Sequence, residues 1–130
     1  MRHYGPAPKP EPRTRTPKRL RSAPKPATAQ EVECRAVVTA RSGGLCETCG
    51  APGASDKAHR VARSQQGLWD PANILDLCRD CHADHHANPS QAYTLGWHLR
   101  SHQDPSSTPA WLWVKGDEGW FILDSDGNRK

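Results

Sequence analysis

The sequence predicts a small α+β domain, and three observations lead to that prediction. Two Cys-x2-Cys pairs lie on either side of residues 50–77, a stretch long enough to contain a folded insert. A helical pattern precedes the first pair, and short strand-like segments follow it. Apolar residues make up 35% of the 130 residues and the mean hydropathy is −0.85. The apolar core is therefore small, and we expect a metal site to stabilise it.

Residues 1–28 differ in composition from the rest of the chain. They hold seven of the twelve prolines and carry a net charge of +7, which leaves −3 for the other residues of a chain with net charge +4. Such a segment buries too little apolar surface to offset its ordering entropy, so we predict a disordered basic arm. Its charge favours contact with DNA. A solubilising tail without a partner and an SH3-type proline ligand are the alternatives.

Helix signals divide the chain after the arm. Residues 29–41 have helical periodicity, which Gly43-Gly44 ends. Asn88-Pro89 ends a second helix and begins a third, with Gly96 just past the end of the third. The predicted organisation is an arm over residues 1–28, a metal-stabilised domain over 29–100 and a C-terminal extension over 101–130.

The C-terminal extension contains a predicted β-hairpin. Its strands are Trp111–Lys115 and Gly119–Leu123, joined by a tight Gly-Asp-Glu-Gly turn. We expect the tryptophans here to pack within the hairpin and the core. An aromatic platform for nucleic-acid bases is the alternative.

The four paired cysteines predict a structural zinc site. Each two-residue gap lets both thiolates turn onto one ion, and four cysteine ligands leave no open coordination position. A redox Cys-x-x-Cys is a less favoured alternative, because two such pairs occur without a βαβ pattern. An Fe–S cluster, which the spacing alone permits, is the other less favoured alternative. The predicted ligands are Cys46, Cys49, Cys78 and Cys81. The fifth cysteine, Cys34, is expected to be a buried thiol in the first helix.

Histidines and one asparagine lie inside and beside the cysteine pairs. His59 is in a short strand-like stretch, and Asn73 precedes a second strand over residues 74–77. His82 and His86 follow the second pair and are four residues apart, so on a helix they share one face and can bind one divalent ion. His85 is the substitute candidate ligand.

This order of residues closely resembles the HNH endonuclease family, whose fold is called ββα-metal. The residues that carry the resemblance are Cys46-x2-Cys49, His59-Arg60, Asn73-Ile74-Leu75, Leu77-Cys78-x2-Cys81-His82 and His86. The resemblance covers roughly residues 40–90. Residues 64–73 together with Gly96-Trp97 also look like HNH proteins of tailed bacteriophages and their actinobacterial hosts. That narrower likeness implies a phage-encoded protein that acts with a terminase in DNA packaging.

The resemblance implies a role for each residue in hydrolysing the phosphodiester bonds of double-stranded DNA. His59 is the general base, since a neutral imidazole accepts a proton near pH 7. His82 and His86 hold one catalytic divalent cation, which is Mn2+, Ni2+ or Mg2+. Asn73 pins the intervening loop and orients His59. Arg60 or Arg63 contacts phosphate. No small-molecule cofactor is expected.

The chain departs from the family pattern at Ala58, where many members have Asp or His as a further metal ligand. An ion held by two imidazoles is expected to be bound weakly and to be Mn2+ or Ni2+ in preference to Mg2+. Asp56 is a possible replacement, but strand alternation puts it on the face opposite His59 unless the strand bulges. The alternative function is a catalytically weak or inactive zinc module that binds DNA or a protein partner.

The chain has no apolar run of membrane-spanning length and no segment resembling a secretory signal. A cytoplasmic location is therefore expected, which is that of a bacterial host if the protein is phage-encoded. No membrane partner is expected.

Overall fold

The computed structural model describes residues 26–130, and this part of the chain forms a small α+β structure with three α-helices and two two-stranded antiparallel sheets. The predicted α+β class is therefore confirmed. The predicted basic arm lies outside the described residues except for positions 26–28. The elements are α1 Ala29–Ser42, β1 Asp56–His59, β2 Ile74–Leu77, α2 Arg79–Ala87, α3 Pro89–Thr94, β3 Ala110–Val114 and β4 Asp117–Phe121.

The bounds of α1 follow from its two caps. Thr28 is extended, and its hydroxyl accepts a hydrogen bond from the Glu31 amide at 3.2 Å. Gly43 is left-handed with φ 63°, and its amide donates to the Thr39 carbonyl. Between the caps, the helix buries Cys34 and Val38 against Ile74 of β2. The helix is thus packed onto the sheet that carries the predicted site.

Strands β1 and β2 pair antiparallel in continuous register, from Asp56 opposite Leu77 to His59 opposite Ile74. Every residue of β2 is buried, as expected for a strand covered on both faces. Helix α2 follows β2 after Cys78, whose sulfur accepts a hydrogen bond from the Cys81 amide as the helix N-cap.

Strands β3 and β4 form the predicted C-terminal hairpin, but its turn is not the predicted one. The loop consists of Lys115 and Gly116, with φ of 51° and 89°, and the Gly-Asp-Glu-Gly turn is wrong. Two consecutive positive φ angles are the signature of a type I′ turn, which matches the twist of paired strands. The sequence did not predict this turn because its first position is lysine, where Asn or Asp is usual.

The hairpin belongs to the same core as the cysteine pairs. Leu112 of β3 and Leu123 are fully buried together with Cys46, Leu75 and Leu77. Residues 101–130 therefore complete the apolar core of the domain. Burying these side chains stabilises the fold by about 25 cal/mol for each Å2 of apolar surface removed from water.

A buried polar network joins α1 to the first cysteine pair and to β2. The Arg41 guanidinium donates to both carboxylate oxygens of Glu47, at 2.9 and 2.7 Å, and both side chains are nearly inaccessible. Glu47 also accepts from the Asp76 amide at 2.8 Å, and Asp76 pairs with Lys57 at 2.9 Å. A buried charge is stable only when it is paired in this way, so these contacts hold one arrangement of the three elements.

None of the helices described within residues 26–130 has the length and apolar character required to cross a membrane.

Candidate functional site

The four paired cysteines converge at the junction of the core and α2. Their sulfur atoms all lie within 4.8 Å of one another, and the Cys49 and Cys78 sulfurs are 3.8 Å apart. Tetrahedral zinc with Zn–S bonds of about 2.3 Å places thiolates about 3.8 Å apart. All five cysteines of the chain are free thiols. The cluster of Cys46, Cys49, Cys78 and Cys81 is therefore able to hold a metal ion such as zinc.

The thiols of the cluster influence one another's ionisation. Burial opposes ionisation of Cys46, but hydrogen bonds from Thr48 and from nearby backbone amides outweigh it and lower its pKa to about 6. Burial raises the pKa of Cys49 and of Cys81, and the charge of Cys46 adds to that rise. A bound divalent cation relieves this opposition, because it stabilises all four thiolates at once.

A second cluster lies on α2, one turn beyond Cys78. The Nε2 atoms of His82 and His86 are 3.2 Å apart. The Nδ1 atom of His82 is 2.9 Å from a carboxylate oxygen of Asp56. This hydrogen bond lowers the pKa of the Asp56 carboxyl group. A carboxylate only accepts, so His82 donates from Nδ1 and, when neutral, presents a lone pair at Nε2 toward His86.

His59 ends β1 and is half-buried. Its Nε2 atom is buried and has no hydrogen-bond partner within residues 26–130. Its ring packs edge-on against Trp69 at 4.5 Å. Burial, followed by the positive charges of Arg63 and Arg35, lowers its pKa to about 4. His59 is therefore neutral at pH 7, and its Nε2 is shielded from solvent.

A cavity of about 260 Å3 brings His59 and His86 together. Its other polar lining residues are Arg60, Tyr93 and His98. The His98 ring lies 5.2 Å from the His86 ring and 5.7 Å from the Tyr93 ring. The predicted base and one predicted metal ligand thus face the same space, although they come from different elements.

Asn73 ends the short 3-10 turn that leads into β2, and it is 1% exposed. Its side-chain oxygen accepts from the Val61 amide at 2.8 Å, and its amide donates to the Val61 and Leu68 carbonyls at 3.2 and 3.1 Å. These contacts join β2 to both ends of the loop that follows His59. Both N–H groups of the side-chain amide donate and its oxygen accepts once, so the orientation of the amide is fixed.

Arg60 is not available to a phosphate, which corrects one of the two phosphate-contact predictions. It is 1% exposed, and its guanidinium donates to four backbone carbonyls, those of Gly96, Ala72, Pro105 and Thr108. Burial lowers its pKa to about 10, so it remains charged while tying the loops together. Arg63 is exposed, lies 5.8 Å from the Trp69 ring centre and stays the candidate phosphate contact.

His85 does not share the face of His82 and His86. It is 3% exposed and stacks on Trp97 with ring centres 4.2 Å apart, and burial lowers its pKa to about 4. A core packing role explains this position, and His85 is not a substitute ligand in this geometry.

The sequence did not predict the positions that two residues take in this site. His98 reaches the cavity because the Leu99 amide donates to the Arg60 carbonyl at 2.8 Å, which brings the segment after α3 beside β1. The spacing of the histidines and Asn73 in the sequence gave no signal for that crossing. Asp56 was weighed only as a direct ligand, whereas the structure places its carboxylate against the far nitrogen of His82.

No protein-family model, curated protein or solved structure matches the chain.

Proposed function

We propose that this protein is a metal-dependent DNA endonuclease of the HNH type, with a ββα-metal core. The supporting order along the chain is β1 ending at His59, Asn73 immediately before β2, and α2 bearing His82 and His86. The observation that carries the proposal is the shared cavity, because His59 and His86, the proposed base and one proposed metal ligand, both line it.

The spacing of the two imidazoles fits one divalent cation. Ligand nitrogens about 2.0–2.1 Å from an ion lie about 2.9 Å apart at a right angle and about 3.4 Å apart at the tetrahedral angle. The observed separation of 3.2 Å between His82 and His86 lies within that range. Such an ion supplies Lewis-acid stabilisation of the negative charge on phosphate and on the leaving oxygen.

The chain's own residues supply the proton transfer and the positioning. His59 accepts a proton from the attacking water, whose oxygen forms the new bond to phosphorus while the bond to the 3′ oxygen breaks. The leaving oxygen takes a proton from solvent. Asn73 holds the loop beside His59 in one conformation through its contacts to Val61 and Leu68. Trp69 limits the rotation of the His59 ring by packing against it.

Exposed arginines flank the cavity and suit contact with the DNA backbone. Arg63 lies 5.8 Å from the ring centre of Trp69, which packs on His59, and Arg100 lies 4.4 Å from the ring centre of Tyr93. Arg35 also lies over Trp69, where it pairs with Glu31 at 3.2 Å. Guanidinium groups bind phosphate oxygens in pairs and without regard to base sequence. The proposed substrate is therefore double-stranded DNA, cut with little sequence preference.

The donor set also predicts which metals support the reaction. His82 and His86 are nitrogen donors, and the position before His59 is Ala58, which adds no carboxylate. Nitrogen donors favour Ni2+ and Mn2+ over Mg2+, which prefers oxygen. We therefore expect activity with Mn2+ or Ni2+ to exceed activity with Mg2+ at equal concentration.

Supercoiled plasmid tests the proposal. The full-length, zinc-loaded protein is incubated with plasmid and with Mn2+, Ni2+ or Mg2+ in separate reactions, and open-circular and linear products are measured. Nicking that needs one of these ions supports the proposal. Intact plasmid in every metal contradicts it.

Ala58 favours a second candidate, a zinc module that binds DNA or a protein partner without cutting. A protein of that kind retards duplex DNA in a salt-dependent manner and leaves plasmid supercoiled in every metal. The two candidates thus differ in the product of one reaction.

A further inference from the structure

Asp56 forms a polar contact whose geometry bears on the proposed metal site. Its Oδ2 is 2.9 Å from His82 Nδ1, and its Oδ1 accepts from the Ser55 hydroxyl at 3.0 Å. The continuous pairing of β1 with β2 sets the position of Asp56, since Asp56 lies opposite Leu77, the residue before Cys78. The carboxylate is therefore held from two sides and directed at one ring nitrogen.

That contact decides which nitrogen of His82 is free. In a neutral imidazole one nitrogen carries the proton and the other carries the lone pair. With the proton at Nδ1 on Asp56, the lone pair lies at Nε2, the atom 3.2 Å from His86 Nε2. A carboxylate on the remote nitrogen also makes a metal-ligating imidazole more basic.

We propose that Asp56 is a positioning residue that orients His82 for binding a divalent transition metal, in place of the carboxylate ligand absent at Ala58. The inference rests on the proposed function, since it concerns the same ion. Ala58 lacks any donor, and Asp56 supplies negative charge near the ion through the His82 ring. The chain thereby keeps a carboxylate in the site without making it a direct ligand.

A purely structural role for the pair predicts different behaviour. The side chains of His82 and Asp56 are 32% and 22% exposed, and a pair so accessible contributes little to the stability of the fold. Loss of metal affinity with little change in the free energy of unfolding therefore separates a positioning role from a structural one.

Three variants of the full-length, zinc-loaded protein test the inference. Asp56→Ala removes the acceptor, whereas Asp56→Asn keeps an oxygen that accepts from Nδ1 but lacks the charge. Asp80→Asn is the matched control, because it removes an exposed carboxylate of α2 that makes no hydrogen bond within residues 26–130. Affinity for Mn2+ and Ni2+ is measured by titration calorimetry, and the tautomer of His82 by nitrogen-15 NMR.

The expected result is about 10–100-fold weaker metal binding in Asp56→Ala, a smaller loss in Asp56→Asn and none in Asp80→Asn. Before metal is added, His82 carries its proton at Nδ1 in the wild type and in Asp56→Asn, and loses that preference in Asp56→Ala. Wild-type affinity in Asp56→Ala, or an unchanged tautomer, overturns the inference while leaving the endonuclease proposal intact. A wild type that retains zinc but binds no further ion overturns both.

Discussion

The Nε2 atoms of His82 and His86 lie 3.2 Å apart, one turn from each other on the helix whose N-cap is Cys78. Cys81 immediately precedes His82, so the metal that the cysteines are able to hold also fixes the first turn of α2. The position of the two imidazoles relative to β1 is therefore coupled to the cysteine cluster. In the proposed enzyme, a structural ion sets the geometry of a catalytic one.

Replacing a cluster cysteine is expected to unfold the domain. Cys81→Ser should lose stoichiometric zinc and the cooperative unfolding transition, because metal binding supplies on the order of 10 kcal/mol in small zinc domains. Cys34→Ala is the control, since Cys34 lies in α1, and burial raises its pKa to about 11. Zinc content by mass spectrometry and urea unfolding by circular dichroism measure both effects. A folded Cys81→Ser protein without zinc would contradict the structural role.

His86→Ala is expected to abolish binding of the second ion while leaving the cysteine-bound zinc in place. His86 is exposed, so its removal should cost little folding free energy. His102→Ala changes an exposed histidine outside the cavity and should bind Mn2+ or Ni2+ as the wild type does. Calorimetric titration of both zinc-loaded proteins compares them. Equal binding in His86→Ala would show that the ion has other ligands.

Arg60 and Arg63 should respond to substitution in opposite ways. Arg60→Met leaves four buried carbonyls without their donor and is expected to lower the free energy of unfolding by at least about 3 kcal/mol. Arg63→Ala should leave stability unchanged and weaken DNA binding, with a salt slope smaller by about 1. Urea unfolding and DNA binding at several salt concentrations measure these effects. A stable Arg60→Met protein would refute the structural reading of its burial.

Asn73→Ala should destabilise the domain by about 2–4 kcal/mol, because it leaves the buried Val61 amide and the carbonyls of Val61 and Leu68 unpaired. Asn88→Ala is the matched control at an exposed asparagine and should cost less than about 1 kcal/mol. Urea denaturation of both zinc-loaded variants compares them. Similar losses in the two variants would mean that the loop beside His59 is not held by Asn73.

His59 should make the fold sensitive to mild acid. Its pKa is lowered to about 4 in the folded protein, chiefly by burial, against an ordinary value of 6.5. As the pH falls from about 6.5 toward 4, the unfolded chain takes up a proton that the folded chain does not, so stability is complete above this window and declines within it.

The size of that decline isolates the contribution of His59. We expect His59→Gln to lose about 1–2 kcal/mol less stability than the wild type between pH 7 and pH 5. Urea unfolding at both pH values measures it, with zinc content checked at each pH so that metal loss is not mistaken for protonation. Identical pH dependence in the two proteins would contradict the burial of a neutral His59.

Most of the secondary structure was predictable from local sequence patterns. Thr28 and Gly43 bound α1 close to the predicted limits because caps are encoded within a few residues. The two cysteine pairs were found because tight metal turns have a fixed spacing. The hairpin turn was misplaced because Lys115 adopts a positive φ that Gly116 alone does not signal.

Contacts between distant segments were not predictable in the same way. The guanidinium of Arg60 reaches Thr108, and His98 reaches the cavity of His59, only because the segments after α3 fold back over β1. The buried pair of Arg41 and Glu47 likewise joins two segments whose charges look solvent-exposed in the sequence. Such positions depend on tertiary packing, for which one sequence gives no periodic signal.

The most direct test of the central claim compares plasmid nicking by the wild type and by His59→Ala, both at one zinc per chain and with Mn2+ or Ni2+ present. The proposed role of His59 predicts metal-dependent nicking by the wild type and a loss of at least about 100-fold in the variant, with the unfolding transition retained. Equal nicking by the two proteins, or none by the wild type in any metal, would contradict the account.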